Sequence, residues 1–236
     1  MYFLEKKLRR LSGGKILDVA TGGGSFIRRL IDAFKDYDEA IGVDVSDKDF
    51  EEGRKSFEKD RVSFEKTDGA NLPYDNDTFD TVAISAGLHH LPDIESVLRE
   101  MKRVLKPGGR FIVREMFCDN QSVKQLSDVY LHHWAAKISR IEGKSHNPTL
   151  KKQQIIDLID DLRLREYETG EFICRECDPE KDGKMERELA DIDKELTKVE
   201  GHPQYDSLKE EGEQVRQRIL KNGFACATNV DVIGIK

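Results

Sequence analysis

Three consecutive glycines, Gly22, Gly23 and Gly24, follow the apolar run Lys15-Ile16-Leu17-Asp18-Val19-Ala20 and precede a stretch whose apolar residues recur at helical spacing. Glycines between a strand and a helix let a ligand approach the backbone, and the helix N-terminus offers N–H groups with no partner of their own. The carboxylates around this loop indicate what the ligand is. Asp44 ends the second apolar run 20 residues after Gly24, where an acid can accept hydrogen bonds from the two hydroxyls of a ribose. Asp18 stands just ahead of the loop, where it opposes a pyrophosphate and favours a cation, by about 1 kcal/mol or more for a partly buried pair. Asp68, in Thr67-Asp68-Gly69-Ala70, can accept from an adenine amino group beside the Gly69 backbone. A dinucleotide fingerprint would need a further glycine where this chain has Ile27. The pattern asks for a positively charged nucleoside, and S-adenosylmethionine, with a sulfonium and an ammonium, meets that description.

The elements that must hold these residues are legible as alternating periods. Apolar runs at residues 15–20, 40–45, 80–85 and 110–115, with a weaker one at 62–66, suit strands covered on both faces. Between them, residues 25–34 and 94–105 carry apolar side chains on one helical face, and Pro107-Gly108-Gly109 is expected to stop the second helix. Strand and helix alternating in this way predict a parallel sheet with right-handed crossovers. Helices are expected at 122–141 and 149–163 around the turn-forming residues 143–148, and strands at 165–174 and 224–235. Between those late strands, 22 of the 44 residues in 178–221 are charged, 13 acidic and 9 basic. Met185, Leu189, Ile192, Leu196 and Val199 nevertheless step by four and three, and Leu208, Val215 and Ile219 continue a stripe after Gly201-His202-Pro203. This heptad seam predicts an inserted helical hairpin. Its two stripes can pack on each other, form a lid, or make a homodimer contact.

The assembled motifs resemble the class I S-adenosylmethionine-dependent methyltransferases, in the group that includes the ubiquinone/menaquinone-biosynthesis enzymes. The resemblance rests on residues 16–24, Gly42-Val43-Asp44-Val45-Ser46, residues 68–74 with Phe79-Asp80, residues 86–93 and residues 100–109, in the family's order across about residues 15–115. Ala20 departs from it, standing where the family's loop often starts with glycine. The resemblance implies an α/β, Rossmann-like, seven-stranded mostly parallel sheet of order 3-2-1-4-5-7-6 with strand 7 antiparallel. It assigns the methionine end of the cofactor to Asp18, Ala20, Gly22, Gly24 and their loop, the ribose to Asp44, and the adenine to Val45, Asp68 and Gly69. Ser85 and Ala86 would line the path to the methyl group, and S-adenosylhomocysteine would be the product. Some relatives bind a divalent metal near this point through carboxylates and histidine; Ala86 and His89 occupy the places of those carboxylates, so no metal is expected.

Methyl transfer is an in-line displacement at carbon on an already activated sulfonium, so the protein chiefly aligns the acceptor and strips water from it. An acceptor that must lose a proton needs a general base. His89 and His90 are the candidates, with packing or loop fixing the plainer role for at least one of them. The segment 118–150 is expected to cap the acceptor site, with Tyr130, His133, Trp134 and Lys137 at helical spacing as an aromatic, partly basic pocket. The same stripe could instead be the packed face of its helix.

Composition narrows the remaining classes. The chain has 236 residues with 36% charged and a net charge of -7, which argues against nucleic acid as a default partner. No apolar stretch approaches the roughly 20 residues of a membrane span, and the opening Met1-Tyr2-Phe3-Leu4 meets Glu5-Lys6-Lys7 too soon for a signal-peptide core. A cytoplasmic, single-domain protein over residues 1–236 is expected. Cys118, Cys174, Cys177 and Cys226 are too scattered for a disulfide framework, and Cys174-x-x-Cys177 lacks the second pair of a structural zinc site. The adjacent pairs His89-His90 and His132-His133 lack metal-ligand spacing. Asn71-Leu72-Pro73-Tyr74 follows the third strand, the wrong place for an amino-methylating nucleic-acid signature. The expectation is methyl transfer to a small-molecule acceptor. The alternatives are a protein or RNA methyltransferase docking through the hairpin, and a non-catalytic cofactor-binding scaffold.

Overall fold

The computed structural model describes residues 2–174 and 183–236; Cys177 and residues 178–182 of the expected insertion lie outside the described residues. The chain begins with α1 (Phe3–Leu8), then β1 (Lys15–Val19), α2 (Ser25–Ala33), β2 (Glu39–Asp44), α3 (Phe50–Ser56), β3 (Val62–Lys66) and β4 (Phe79–Ser85). A 3-10 turn (Leu88–His90), α4 (Ile94–Val104), β5 (Leu105–Met116), α5 (Val123–Ile141) and α6 (Lys152–Asp161) follow. Then come β6 (Glu166–Phe172), α7 (Lys184–Thr197), α8 (Tyr205–Asn222) and β7 (Asn229–Ile235). The seven strands form one sheet in the order β3-β2-β1-β4-β5-β7-β6, with β7 antiparallel to both of its neighbours and the other pairs parallel. This is the architecture the sequence predicts.

The alternation of strand side chains builds a core on each face. Leu17, Val19, Val43, Val82 and Ile84 pack with Val97, Leu98 and Met101 of α4 on one side. Ile16, Ala40, Ala83 and Ile112 pack with Phe26, Ile27 and Leu30 of α2 on the other. Ile27, where a dinucleotide fingerprint wants glycine, is fully buried; a Cβ added to Gly42 would lie 3.0 Å from its Cδ1. Between β5 and β7, the cross-strand partners Arg114 and Asp231 form a buried bidentate pair with nitrogen–oxygen distances of 2.6 and 2.8 Å.

Two boundaries differ from expectation. Pro107-Gly108-Gly109 does not form a free turn: α4 ends at Val104 and β5 begins at Leu105, with the Gly108 N–H donating to the Lys236 carbonyl and the Lys236 N–H to Gly109. At the other end, residues 224–228 leave the sheet. Phe224 is drawn into a third apolar cluster, while Gln121 and Gln125 take the backbone or hydroxyl groups of Cys226 and Thr228.

That third cluster explains the hairpin. Ile192, Leu196, Val199, Leu208, Val215 and Ile219 are buried against Leu131, Trp134 and Ile138 of α5. The seam joins α7 to α8 and both to α5, so it is covered within the chain. Among the described residues, no helix is long and apolar enough to cross a membrane.

Candidate functional site

β1 lies between β2 and β4, and its register brings Val19 level with Val43 and Ile84. The chain leaves β1 toward β2 and later returns on the other side to β4, so the carboxyl ends of these strands open a crevice at a topological switch point, where α/β sheets bind ligands. A cleft of about 750 Å³ occupies that position, inside the range of roughly 300–1,000 Å³ usual for small-molecule sites. Ala20, Gly22, Asp44, Val45, Asp68, Gly69, Ser85 and Ala86, all expected at the cofactor, line it.

The loop is held by the residues that would serve the ligand. Asp44 accepts from the Gly22 N–H and the Ser46 N–H at 3.0 Å each, leaving lone pairs on both carboxylate oxygens for further donors. Asp68 accepts from the Ala70 N–H at 2.9 Å. Gly22 has φ +50°, and a Cβ added there would meet nothing within 4 Å; it faces the opening of the cleft. Ala20 and Ala86 have φ of +55° and +49°, a left-handed conformation that costs an alanine roughly 1–2 kcal/mol. The place where the family often has glycine is thus a glycine-like conformation occupied by the smallest side chain that can tolerate it.

Two expected cofactor residues stand elsewhere. Gly24 caps α2 with φ +84°, and an added Cβ would come within 2.8 Å of the Phe64 ring; its role is to let the helix start against an aromatic floor. Asp18 does not line the cleft but lies buried beneath the loop, accepting from the Thr21 hydroxyl at 2.7 Å. Its Oδ1 has no hydrogen-bond partner. Burial pushes its carboxyl up to about 7; the Thr21 hydroxyl opposes this and the Asp44 charge adds to it. With Asp44, Asp49, Asp68 and Asp93 at the cleft and, among the described residues, Lys144 as its one Lys or Arg, the local field favours a cation.

His89 and His90, adjacent in sequence, have different surroundings. His89 is buried, its Nδ1 2.6 Å from Glu115 Oε1, while Glu115 Oε2 accepts from the Leu88 N–H at 2.9 Å. His90 lines the cleft. Burial, then the neighbouring His89, lowers its pKa below the usual imidazole value, against the opposing effect of a hydrogen bond to the Ser145 backbone.

The expected acceptor stripe lies apart from the cleft. Tyr130, His133, Trp134 and Lys137 face α8 and, with Glu211 and Val215, line a separate groove. Trp134 is buried and donates from Nε1 to the Leu208 carbonyl at 2.8 Å. Tyr130 lies under the Arg218 guanidinium, and His133 Nε2 is 2.7 Å from the Thr149 hydroxyl. The hairpin needs an apolar partner and takes this face of α5. The 118–150 segment still reaches the cleft, through Lys144 and Ser145 in the connection after α5. Sequence reasoning missed this pair, although their place in the turn-forming residues 143–148 put them beside the capping helix.

The chain is 38% identical over 111 residues to a demethylmenaquinone methyltransferase of Staphylococcus saprophyticus, covering 47% of this chain and 48% of that one; the chain spans about half the length of the curated relatives it matches. Among solved structures, the YcgJ protein of Bacillus subtilis superposes with a TM-score of 0.61 at 18% identity, over 98% of this chain and 95% of that one. A phosphoethanolamine N-methyltransferase 2 of Haemonchus contortus, in complex with S-adenosyl-L-methionine, gives 0.58 at 19% identity, over 99% of this chain and 51% of that one. These two likenesses concern the fold. The family model described as ubiE/COQ5 methyltransferase matches residues 2–152, nearly all of the region that builds the cleft, and the chain belongs to that family.

Proposed function

We propose that this protein transfers a methyl group from S-adenosylmethionine to a small-molecule nucleophile. The observation that carries the reading is the acidic cleft at the switch point, with an unpartnered buried carboxylate oxygen on Asp18 beneath a loop that is open at Gly22. The cofactor supplies an activated methyl on a sulfonium. The residues present fit it: Asp44 can accept from ribose hydroxyls, Asp68 from the adenine amino group, and Asp18, buried beneath the loop with its Oδ1 unpaired, adds negative charge behind the methionine end. His90 is the cleft-lining imidazole and takes the acceptor's proton where one must leave, while Lys144 and Ser145 cover the acceptor side. The demethylmenaquinone methyltransferase name of one relative makes a quinone-type ring the first acceptor to try. The hairpin seam, already covered by α5, is not proposed as a homodimer contact.

Label transfer from radioactive cofactor to a metabolite extract tests the activity. Transfer confined to protein or RNA fractions would replace the small-molecule acceptor by a macromolecular one, and tight binding without any transfer would favour a scaffold. Asp44→Ala should weaken S-adenosylhomocysteine binding by about 1–3 kcal/mol, roughly 5- to 150-fold in Kd, by calorimetry. Unchanged affinity would remove Asp44 from the site.

Asp18 gives the binding a pH signature. Its folded value near 7 lies above the ordinary carboxyl value of 3.8, so its contribution to stability is full below about pH 4 and is lost as pH rises through about 7. A cation placed beside it favours the carboxylate and expels the proton. Affinity for S-adenosylhomocysteine, whose ammonium is positive in this range, should therefore rise with pH up to about 7 and then level off. Asp18→Asn should flatten the profile; a slope unchanged in that variant would assign the linkage to another group.

A further inference from the structure

Neighbouring residues on a helix point apart, so neither adjacent histidine pair can chelate by itself. The fold instead gathers one histidine from each of three segments: His89 from the 3-10 turn, His132 from α5 and His146 from the connection before α6. One ring nitrogen from each lies within 4.8 Å of the other two. The Nε2 atoms of His132 and His146 are 3.1 Å apart, close to the separation of about 3.3–3.4 Å between two nitrogens bound to one tetrahedral ion at 2.0–2.1 Å.

The surroundings are those of a ligand set. The Glu115 carboxylate, fixed by the Leu88 N–H, holds the Nδ1 of His89; this selects the tautomer protonated at Nδ1 and leaves a lone pair on Nε2. A carboxylate behind a histidine in this way is a regular feature of metal-binding imidazoles. The loop carrying His146 is fixed independently, by the Asn147 N–H on the His89 carbonyl and by Arg140 on the carbonyl of His146, each at 2.7 Å.

We propose that His89, His132 and His146 bind one divalent first-row transition ion, with zinc the fitting choice, and that Glu115 positions His89 for it. Three imidazole nitrogens suit zinc and its neighbours rather than magnesium or calcium, which take oxygen. The ion would tie the 3-10 turn, α5 and the capping connection together. His90, which lines the cleft, packs with tilted rings 4.2 Å from His89 and 4.3 Å from His146 between centroids. The inference concerns binding and does not depend on the methyl-transfer reading.

The test uses tag-free full-length protein stripped with a chelator and titrated with Zn²⁺ by calorimetry and with Co²⁺ by visible spectroscopy. One ion per chain, tetrahedral Co²⁺ bands and a raised melting temperature are expected. Glu115→Gln should weaken binding by roughly 10–100-fold; His132→Ala and His146→Ala should weaken it further while keeping the parent circular dichroism. The half-buried His132 keeps the test usable if the Glu115 variant misfolds. Zinc binding no tighter in the parent than in the His132→Ala/His146→Ala double variant overturns the proposal. So does binding abolished by Cys174→Ser but not by the histidine changes.

Discussion

Asp231→Ala should lower the free energy of unfolding by about 3–5 kcal/mol, because removing one partner leaves a buried guanidinium without its bidentate carboxylate. Arg114 and Asp231 have side-chain exposures of 5% and 0%, too little for water to take the carboxylate's place. Nor can the guanidinium swing out. The Phe172 ring lies 3.8 Å from it and the Phe26 ring 5.6 Å, so it is clamped between aromatic faces. The large effect of the single change need not mean that the pair stabilises the fold by as much, since desolvating two charges offsets most of their attraction. Arg114→Met combined with Asp231→Leu should therefore recover most of the loss. Urea denaturation of parent, single and double variants checks both statements. A loss under about 1 kcal/mol in Asp231→Ala would show that the guanidinium finds water, contrary to the burial described.

Trp134→Ala should cost a comparable amount, about 3–5 kcal/mol, as for other large aromatic truncations in a core. The indole closes the three-helix cluster of α5, α7 and α8. Its Nε1 satisfies the Leu208 carbonyl, and its ring lies over Gly212, where an added Cβ would come within 2.9 Å of Cζ2. Truncation opens a cavity and leaves that carbonyl without this donor. The loss should fall on the hairpin, so α7 and α8 should become easier to cleave by protease while S-adenosylhomocysteine affinity stays within about twofold, equivalent to roughly 0.4 kcal/mol. Trp134→Phe should lose less, keeping most of the apolar contact but not the hydrogen bond. Unaltered stability with a changed acceptor KM would restore the stripe to the acceptor pocket.

The sheet and the cofactor end of the cleft were legible because both depend on local pattern. Apolar runs separated by helical periods dictate a parallel sheet, and a glycine loop followed by Asp44 at a strand end can be read from spacing alone. What was not legible depended on which of two faces a helix turns toward the core. On α5, His132 and Trp134 are two residues apart, about 200° round the helix, so whichever face meets the hairpin sends the other toward the 3-10 turn. The sequence left the aromatic side open as acceptor wall or packed face, and the apolar seam of α7 and α8 packs against Trp134 on it. The histidine cluster was hidden for a related reason. His89, His132 and His146 are far apart in sequence, and only the docking of residues 142–151 on the turn brings them together. Gly24 shows the opposite case, since a residue inside a ligand motif also serves packing against the Phe64 ring.

The place of β7 in the sheet bears on how the chain acquires its structure in time. Because β7 fills the slot between β5 and β6, both of those strands present an unsatisfied edge until Asn229–Ile235 is available. Open edges of this kind invite pairing with other chains. A nascent chain that has completed β1 to β5 can form the glycine loop, and one that has reached Ser145 can close the cleft, yet both must wait for β7 before the β5 and β6 edges are sealed. Lys236 completes that closure: its backbone bonds to residues 108 and 109, and its ammonium reaches Asp77 and the carbonyls of Arg103 and Leu105. Synthesis order thus makes ligand-site formation early and sheet completion late, and the interval between them is when a holding chaperone would matter most.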